Sequence, residues 1–227
     1  MMSSPHEKTS APSHLAPAEL LLDYAGGGID PGYGLAVATQ LAINAGARAE
    51  MARLQALGGL MLEAAPAANL AADALERALA RLERTEQAPK AVVATDPQDQ
   101  AGIPAPVCRL LPGPVASLPW QKVISGVEEY RFEVPGAHGK VSLLRIEPGR
   151  SMPRHTHRGE ELTLVLEGHY EDALGRFARG DLALLDESVD HQPVAGSDQD
   201  CICLVVREAP LRLTGPIGRL LNPFIRF

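Results

Sequence analysis

The chain has 227 residues, 45% of them apolar but only 4% aromatic, and a net charge of −7. That is material for one large domain or two small ones, and the acidic balance argues against a nucleic-acid surface, which needs clustered Lys and Arg. Three cysteines, Cys108, Cys201 and Cys203, are too few and too odd in number for a disulfide framework. The first residues also lack the basic and apolar regions of a secretory signal, and no run approaches about 18 apolar residues, so a cytoplasmic chain with no membrane span is expected.

Residues 17–86 are rich in Ala, Leu, Glu and Arg and predict four helices. The first, 17–25, carries Leu20, Leu21 and Tyr24 and stops at Gly26-Gly27-Gly28. Asp30-Pro31 reads as an N-cap followed by an N1 proline. It opens a second helix over 31–46, with Tyr33, Val37, Leu41 and Asn44 near one face. A third helix, 48–64, sets Met51, Leu54, Gly58 and Met61 along a stripe. A fourth, 69–86, repeats Leu75, Leu79 and Leu82 at helical spacing. Residues 14–86 are therefore expected to form a small helical module with short connections.

Prolines crowd residues 87–117, among them Pro89, Pro97, Pro104, Pro106, Pro112 and Pro114, and periodicity is lost; this reads as a partly extended linker whose end packs on the second domain. From Trp120 onward the grammar changes to short apolar or alternating runs: "EYRFEV", "KVSLLRIE", "LTLVLEGHYED", "DLALLD", "CICLVV" and "LRLTG". Short strands at this spacing predict a β sandwich or barrel. The second domain is therefore expected to be a β domain over 118–213, with a tail over 214–227.

One stretch carries chemistry: "PGRSMPRHTHRGEELTLVLEG", residues 148–168. On a strand, alternation puts His155, His157, Glu161, Thr163 and Val165 on one face. Two imidazoles and a carboxylate facing inward suit Zn²⁺, Fe²⁺, Mn²⁺ or Ni²⁺. His191, after the strand 181–186 and before Pro193, is the natural further ligand. Glu160 falls on the opposite face and reads as solvated. Cys201 and Cys203 lie two apart on a strand, so both thiols point one way. They are either a redox-sensing pair near the metal or two small hydrophobes. His6, His14, His138 and His169 read as surface or loop residues, and Cys108 as incidental.

These spacings resemble the cupin family, whose first motif is met by Gly149, His155, His157, Glu161 and Gly168. Its second motif is met by Gly180-Asp181 and His191-Gln192-Pro193. The resemblance implies an antiparallel β-barrel with His155, His157, Glu161 and His191 as ligands inside. Nearly the whole chain is also similar to the ChrR family of anti-sigma factors. The segments that carry this are "ELLLDYAGG", "LAVATQL", "HRGEELTLVLEG", "HQPVAG" and "DCICLVV". It implies an α+β chain in which a helical module, joined by a Pro-rich linker to a cupin β-barrel, binds an ECF sigma factor and blocks its access to RNA polymerase, with no direct nucleic-acid contact. The cupin would take part in the response to singlet oxygen or organic peroxide.

One departure stands out. Family members carry a zinc in the helical module, bound by an N-terminal His and a His-x3-Cys-x2-Cys element. Here the matching positions are Gln40, Asn44 and Ala47, spaced i, i+4, i+7 as on one helix face, with His14 offset by a residue. The expectation is one metal per chain, zinc by the resemblance, held in the barrel, and none in residues 1–86. Two other readings remain at this level. One is a metal-dependent cupin enzyme of the dioxygenase kind; the other is a non-catalytic cupin that binds a small molecule or pairs as a homodimer.

Overall fold

The computed structural model describes residues 14–86 and 102–215. Four helices open the chain: α1 (Ala18–Gly26), α2 (Pro31–Ile43), α3 (Ala45–Ala64) and α4 (Ala74–Glu86). The glycine run ends α1 as expected. Gly27 takes φ 73°, a left-handed conformation that costs glycine little, and the N–H groups of Gly27 and Gly28 bond back to the carbonyls of Tyr24 and Asp23. Asp30 caps α2, its Oδ1 accepting the Gly32 N–H at 2.8 Å.

The second helix, however, ends at Ile43 and not at residue 46. Asn44 leaves helical geometry (φ −116°, ψ 113°), and its side chain accepts the Ala47 N–H at 3.1 Å, so it caps α3. Asparagine favours such a junction because its amide competes for backbone groups inside a helix and satisfies them at a cap. Gln40, Asn44 and Ala47 therefore do not share one helix face: they sit at the end of α2, at the junction and in the first turn of α3. The fourth helix likewise begins at Ala74, five residues later than the spacing predicts, just after Asp73.

Six antiparallel strands form the main sheet, in the order β1 (Gln121–Ile124), β2 (Val127–Phe132), β3 (Lys140–Ile146), β10 (Cys201–Arg207), β5 (Glu161–Glu167) and β8 (Leu182–Leu185). β4 (His155–Thr156) pairs with β11 (Arg212–Leu213), and β6 (His169–Asp172) pairs with both β7 (Gly175–Ala178) and β9 (Val194–Ala195). The smaller sheets supply the facing wall: Tyr170, Phe177 and Ala195 share an interior core with Leu144, Ile146, Val165, Cys203 and Val205 of the main sheet.

The outer face of the main sheet is equally apolar. Leu143, Leu162, Leu164, Leu166, Ile202, Leu204 and Val206 form a second core with Leu21, Tyr33, Ala36, Val37 and Met51 of the helices. Side chains alternate across a strand, so β10 is buried at every position because both its faces are covered. The helical module thus roofs the barrel. The latter part of the proline-rich segment joins it: α5 (Ala105–Cys108) and its flanks send Ile103, Val107 and Leu118 into the same core. Residues 87–101, His6 and the tail from 216 onward lie outside the described residues.

The apolar stripes of α3 and α4 are only partly used. Met51 is buried, but Met61 is 68% exposed, and on α4 Leu75, Leu79 and Leu82 are 72%, 50% and 61% exposed. An amphipathic face left open in this way is unusual on a soluble chain. No described helix is long and apolar enough to cross a membrane.

Candidate metal centre

β4 and β5 enter the barrel on either side of the turn at Arg158-Gly159-Glu160. Glu161 lies four positions after His157, an even step, so the inward register expected from alternation survives the turn. His155, His157, Glu161 and His191 are all buried, whereas Glu160 is exposed. His191 arrives from the loop after β8 and exchanges backbone hydrogen bonds with His155, each N–H bonding the other carbonyl at 3.0 Å.

The three histidines converge. Nε2 of His191 lies 3.1 Å from Nε2 of His155 and 3.3 Å from Nε2 of His157. His155 Nδ1 donates to the Pro153 carbonyl at 2.7 Å, and His191 Nδ1 donates to the Asp172 carboxylate at 2.8 Å. These acceptors place the ring protons of His155 and His191 on Nδ1 and leave their Nε2 lone pairs facing one another. Burial holds both His155 and His157 down to about 4, with neighbouring His191 opposing their charge further, so the rings are neutral at neutral pH. Neutral imidazoles with lone pairs aimed at one point repel each other unless a cation lies between them. Two nitrogens each about 2.0–2.1 Å from one ion lie roughly 2.9–3.4 Å apart, which the observed separations match. The donor set therefore fits a divalent metal, and His155, His157 and His191 form the one such cluster found among the described residues.

Glu161 borders the same cavity but stands outside that cluster. Its carboxylate lies 3.6 Å from His157 Nδ1 and 3.5 Å from Arg207 Nε, and it accepts from the Thr163 hydroxyl at 3.3 Å. Arg207 is itself buried and paired with Glu129 at 2.6 Å. Cys203 also lines the cavity, 3.7 Å from Cys201 through their sulfurs. The hydrogen bond from Cys201 and complete burial both push the Cys203 thiol well up. Little thiolate, the form that reacts with oxidants, is present there at neutral pH.

Residues 113–210 match the family model for the ChrR cupin-like domain. Over 207 residues, 91% of this chain and 95% of the relative, the sequence is 37% identical to anti-sigma-E factor ChrR of Cereibacter sphaeroides. This chain belongs to the ChrR family of anti-sigma factors. The crystal structure of Rhodobacter sphaeroides SigE in complex with the anti-sigma ChrR superposes with a TM-score of 0.70 at 32% identity, over 86% of this chain and 98% of that one. The helices-then-cupin architecture is thus that of the ChrR family.

Two groups at the ChrR-type cupin site were not singled out from the sequence. Asp172 ends the strand-like run "LTLVLEGHYED", where nothing marks it as a site residue; yet its side chain has no exposed surface. Burial alone would raise the Asp172 carboxyl, but hydrogen bonds from His191 and from the backbone of Leu174 and Gly175 hold it below the usual range. Arg207 was legible in principle, since it continues the inward parity of Cys201, Cys203 and Val205. Because Asp172 fixes the tautomer and tilt of His191, Asp172→Asn is expected to weaken metal binding about 10–100-fold while the fold persists. Titration against a chelating dye, with circular dichroism as the control, measures this; an unchanged affinity would remove Asp172 from the site.

Proposed function

We propose that this chain is a cytoplasmic anti-sigma factor that sequesters an ECF-type sigma factor with its helices and holds one zinc ion in its cupin barrel. Nearly full-length identity to an anti-sigma factor carries the reading. It is supported by the open leucine face of α4 and the distal half of α3, where Leu57, Leu60, Met61 and Leu62 are all exposed. A face of this kind wants an apolar partner.

In the barrel, His155, His157 and His191 would hold the zinc through Nε2, with Glu161 as the fourth ligand once its carboxylate leaves Arg207. Bound there, the ion supplies a fixed positive charge amid the buried carboxylates. A four-ligand set of this kind is closed and serves a structural or sensory role. Arg207, Thr163 and Asp172 are already bonded to Glu161, Glu129 or His191, so the enzyme reading gains none of these three for orienting a substrate. A homodimer formed through the outer sheet face is also disfavoured, because α2 packs on that face. Of the two candidate signal inputs, the metal centre is favoured over Cys201 and Cys203, whose thiols are buried and, at Cys203, held protonated.

The test is co-purification of the tagged full-length chain from its own cells. An ECF sigma factor is expected to be recovered at near-equal stoichiometry, and deletion should release the corresponding regulon. Recovery of no sigma factor together with an unchanged regulon would end this reading.

A further inference from the structure

Gln40 and Asn44 occupy the positions where a helical-module metal would be sought, and their chemistry does not fit one. Gln40 is fully buried, with every bonding group engaged. Its Oε1 accepts the Ala16 N–H at 3.0 Å, and its Nε2 donates to the His14 carbonyl at 3.1 Å and the Gly180 carbonyl at 3.0 Å. Asn44 donates to the same Gly180 carbonyl at 3.0 Å while its Oδ1 caps Ala47, and Ala47 contributes only a methyl group. No lone pair of Gln40 or Asn44 remains aimed at a common point, and none of the three residues offers the imidazole, thiolate or carboxylate a metal prefers; the His14 ring instead stacks on Phe177 and lies 3.7 Å from the Asp181 carboxylate.

What these amides do instead is join three separate pieces of chain. The His14–Ala16 segment is held to Gln40 on one side and to the barrel on the other: His14 N–H donates to Asp181 Oδ1 at 2.9 Å, and Leu182 N–H donates to the His14 carbonyl at 3.0 Å. The His14 ring stacks on Phe177 with centroids 4.3 Å apart. Far from being an isolated loop residue, His14 is a junction. The Gly180-Asp181 turn is rigid on its own account. Gly180 takes φ 90°, its N–H bonds to Val165, and Asp181 Oδ2 accepts the Ala178 N–H at 2.9 Å. Gly180 and Asp181 thus present one carbonyl and one carboxylate oxygen as fixed anchors for α2 and the N-terminal segment.

We infer that Gln40 and Asn44 form a metal-free clasp that locks α2 and the His14–Ala16 segment onto the Gly180-Asp181 turn, making helices and barrel one cooperative unit. Polar groups buried this deeply are costly to expose singly, so the clasp opens as a whole or not at all. Any signal that reaches the open α3–α4 face then passes from the barrel without a metal in the helices.

Hydrogen exchange on the full-length chain tests this. After a chelator has stripped the barrel metal, as shown by metal analysis, amides of α2, Ala16 and Leu182 keep their protection. Gln40→Ala raises exchange at Ala16, Leu182 and α2 by about tenfold or more, with barrel metal content unchanged. Gln40→Met fills the same space without hydrogen bonds and gives the same loss; it stands in for Gln40→Ala should that variant not fold. Full protection in Gln40→Met would reduce Gln40 to packing and overturn the clasp. So would a second equivalent of metal that Asn44→Ala removes, or deprotection of Ala16 and α2 by the chelator alone.

Discussion

His191→Ala is expected to take the metal content of the purified chain from about one equivalent to near zero and to lower its melting temperature. The substitution removes one of three converging Nε2 donors and leaves His155 and His157 with Glu161, whose carboxylate is drawn toward Arg207 at 3.5 Å, so the ion is lost during purification. It also strips Asp172 of its imidazole partner, leaving a carboxylate with no exposed surface held by backbone N–H groups alone. An unsatisfied buried group of this kind costs about 1–3 kcal/mol, more when charged. Glu160→Ala is the control, because that side chain is exposed and, among the described residues, accepts a hydrogen bond from the Tyr33 hydroxyl alone, at 3.4 Å. It should keep its metal. Elemental analysis and thermal denaturation read both variants, and a full equivalent of metal in His191→Ala would show that the triad is not the site.

The second large effect is predicted on the open helical face. Replacing Leu75, Leu79 and Leu82 together with Ser should weaken sigma-factor binding at least about 100-fold while leaving the melting temperature of the free chain unchanged. All three are half exposed or more, so the free chain gains little from them. In a complex each leucine driven out of water is worth about 1.5–3 kcal/mol, and two such losses already exceed a hundredfold. Leu21→Ala supplies the contrast. Leu21 has no exposed surface and sits in the core shared by helices and sheet, so its truncation should cost about 2–5 kcal/mol of stability. Isothermal titration against the sigma factor, with melting curves for each variant, separates the two classes. Undiminished binding by the triple variant would place the partner surface elsewhere.

Much of this protein is legible in its sequence. Caps and breakers are local chemistry: Gly27 and the Asp30-Pro31 pair act within a few residues of themselves, and both sit where the sequence puts them. The inward set His155, His157 and Glu161 follows from a period of two, which the turn at Arg158-Gly159-Glu160 does not disturb because the step from His157 to Glu161 is even. His191 could be named because its spacing to Gly180-Asp181 and Pro193 is a family pattern.

What the sequence by itself determined, then, is the order of helices and strands and the faces that carry apolar and metal-binding side chains, because periodicity and capping are properties of neighbouring residues. Only the tertiary structure decided what each face meets. The leucines of β5 and those of α4 look alike in the sequence, yet the first lie under a roof of helices and the second lie open. Asp172 reaches His191 across 19 residues and Gln40 reaches Gly180 across 140, and such bonds leave no local pattern to read. The same distance explains the "TQLAINAGA" segment: three residues that look like an emptied metal site are, once folded, the end of one helix, the cap of the next and the fastening of both to the barrel.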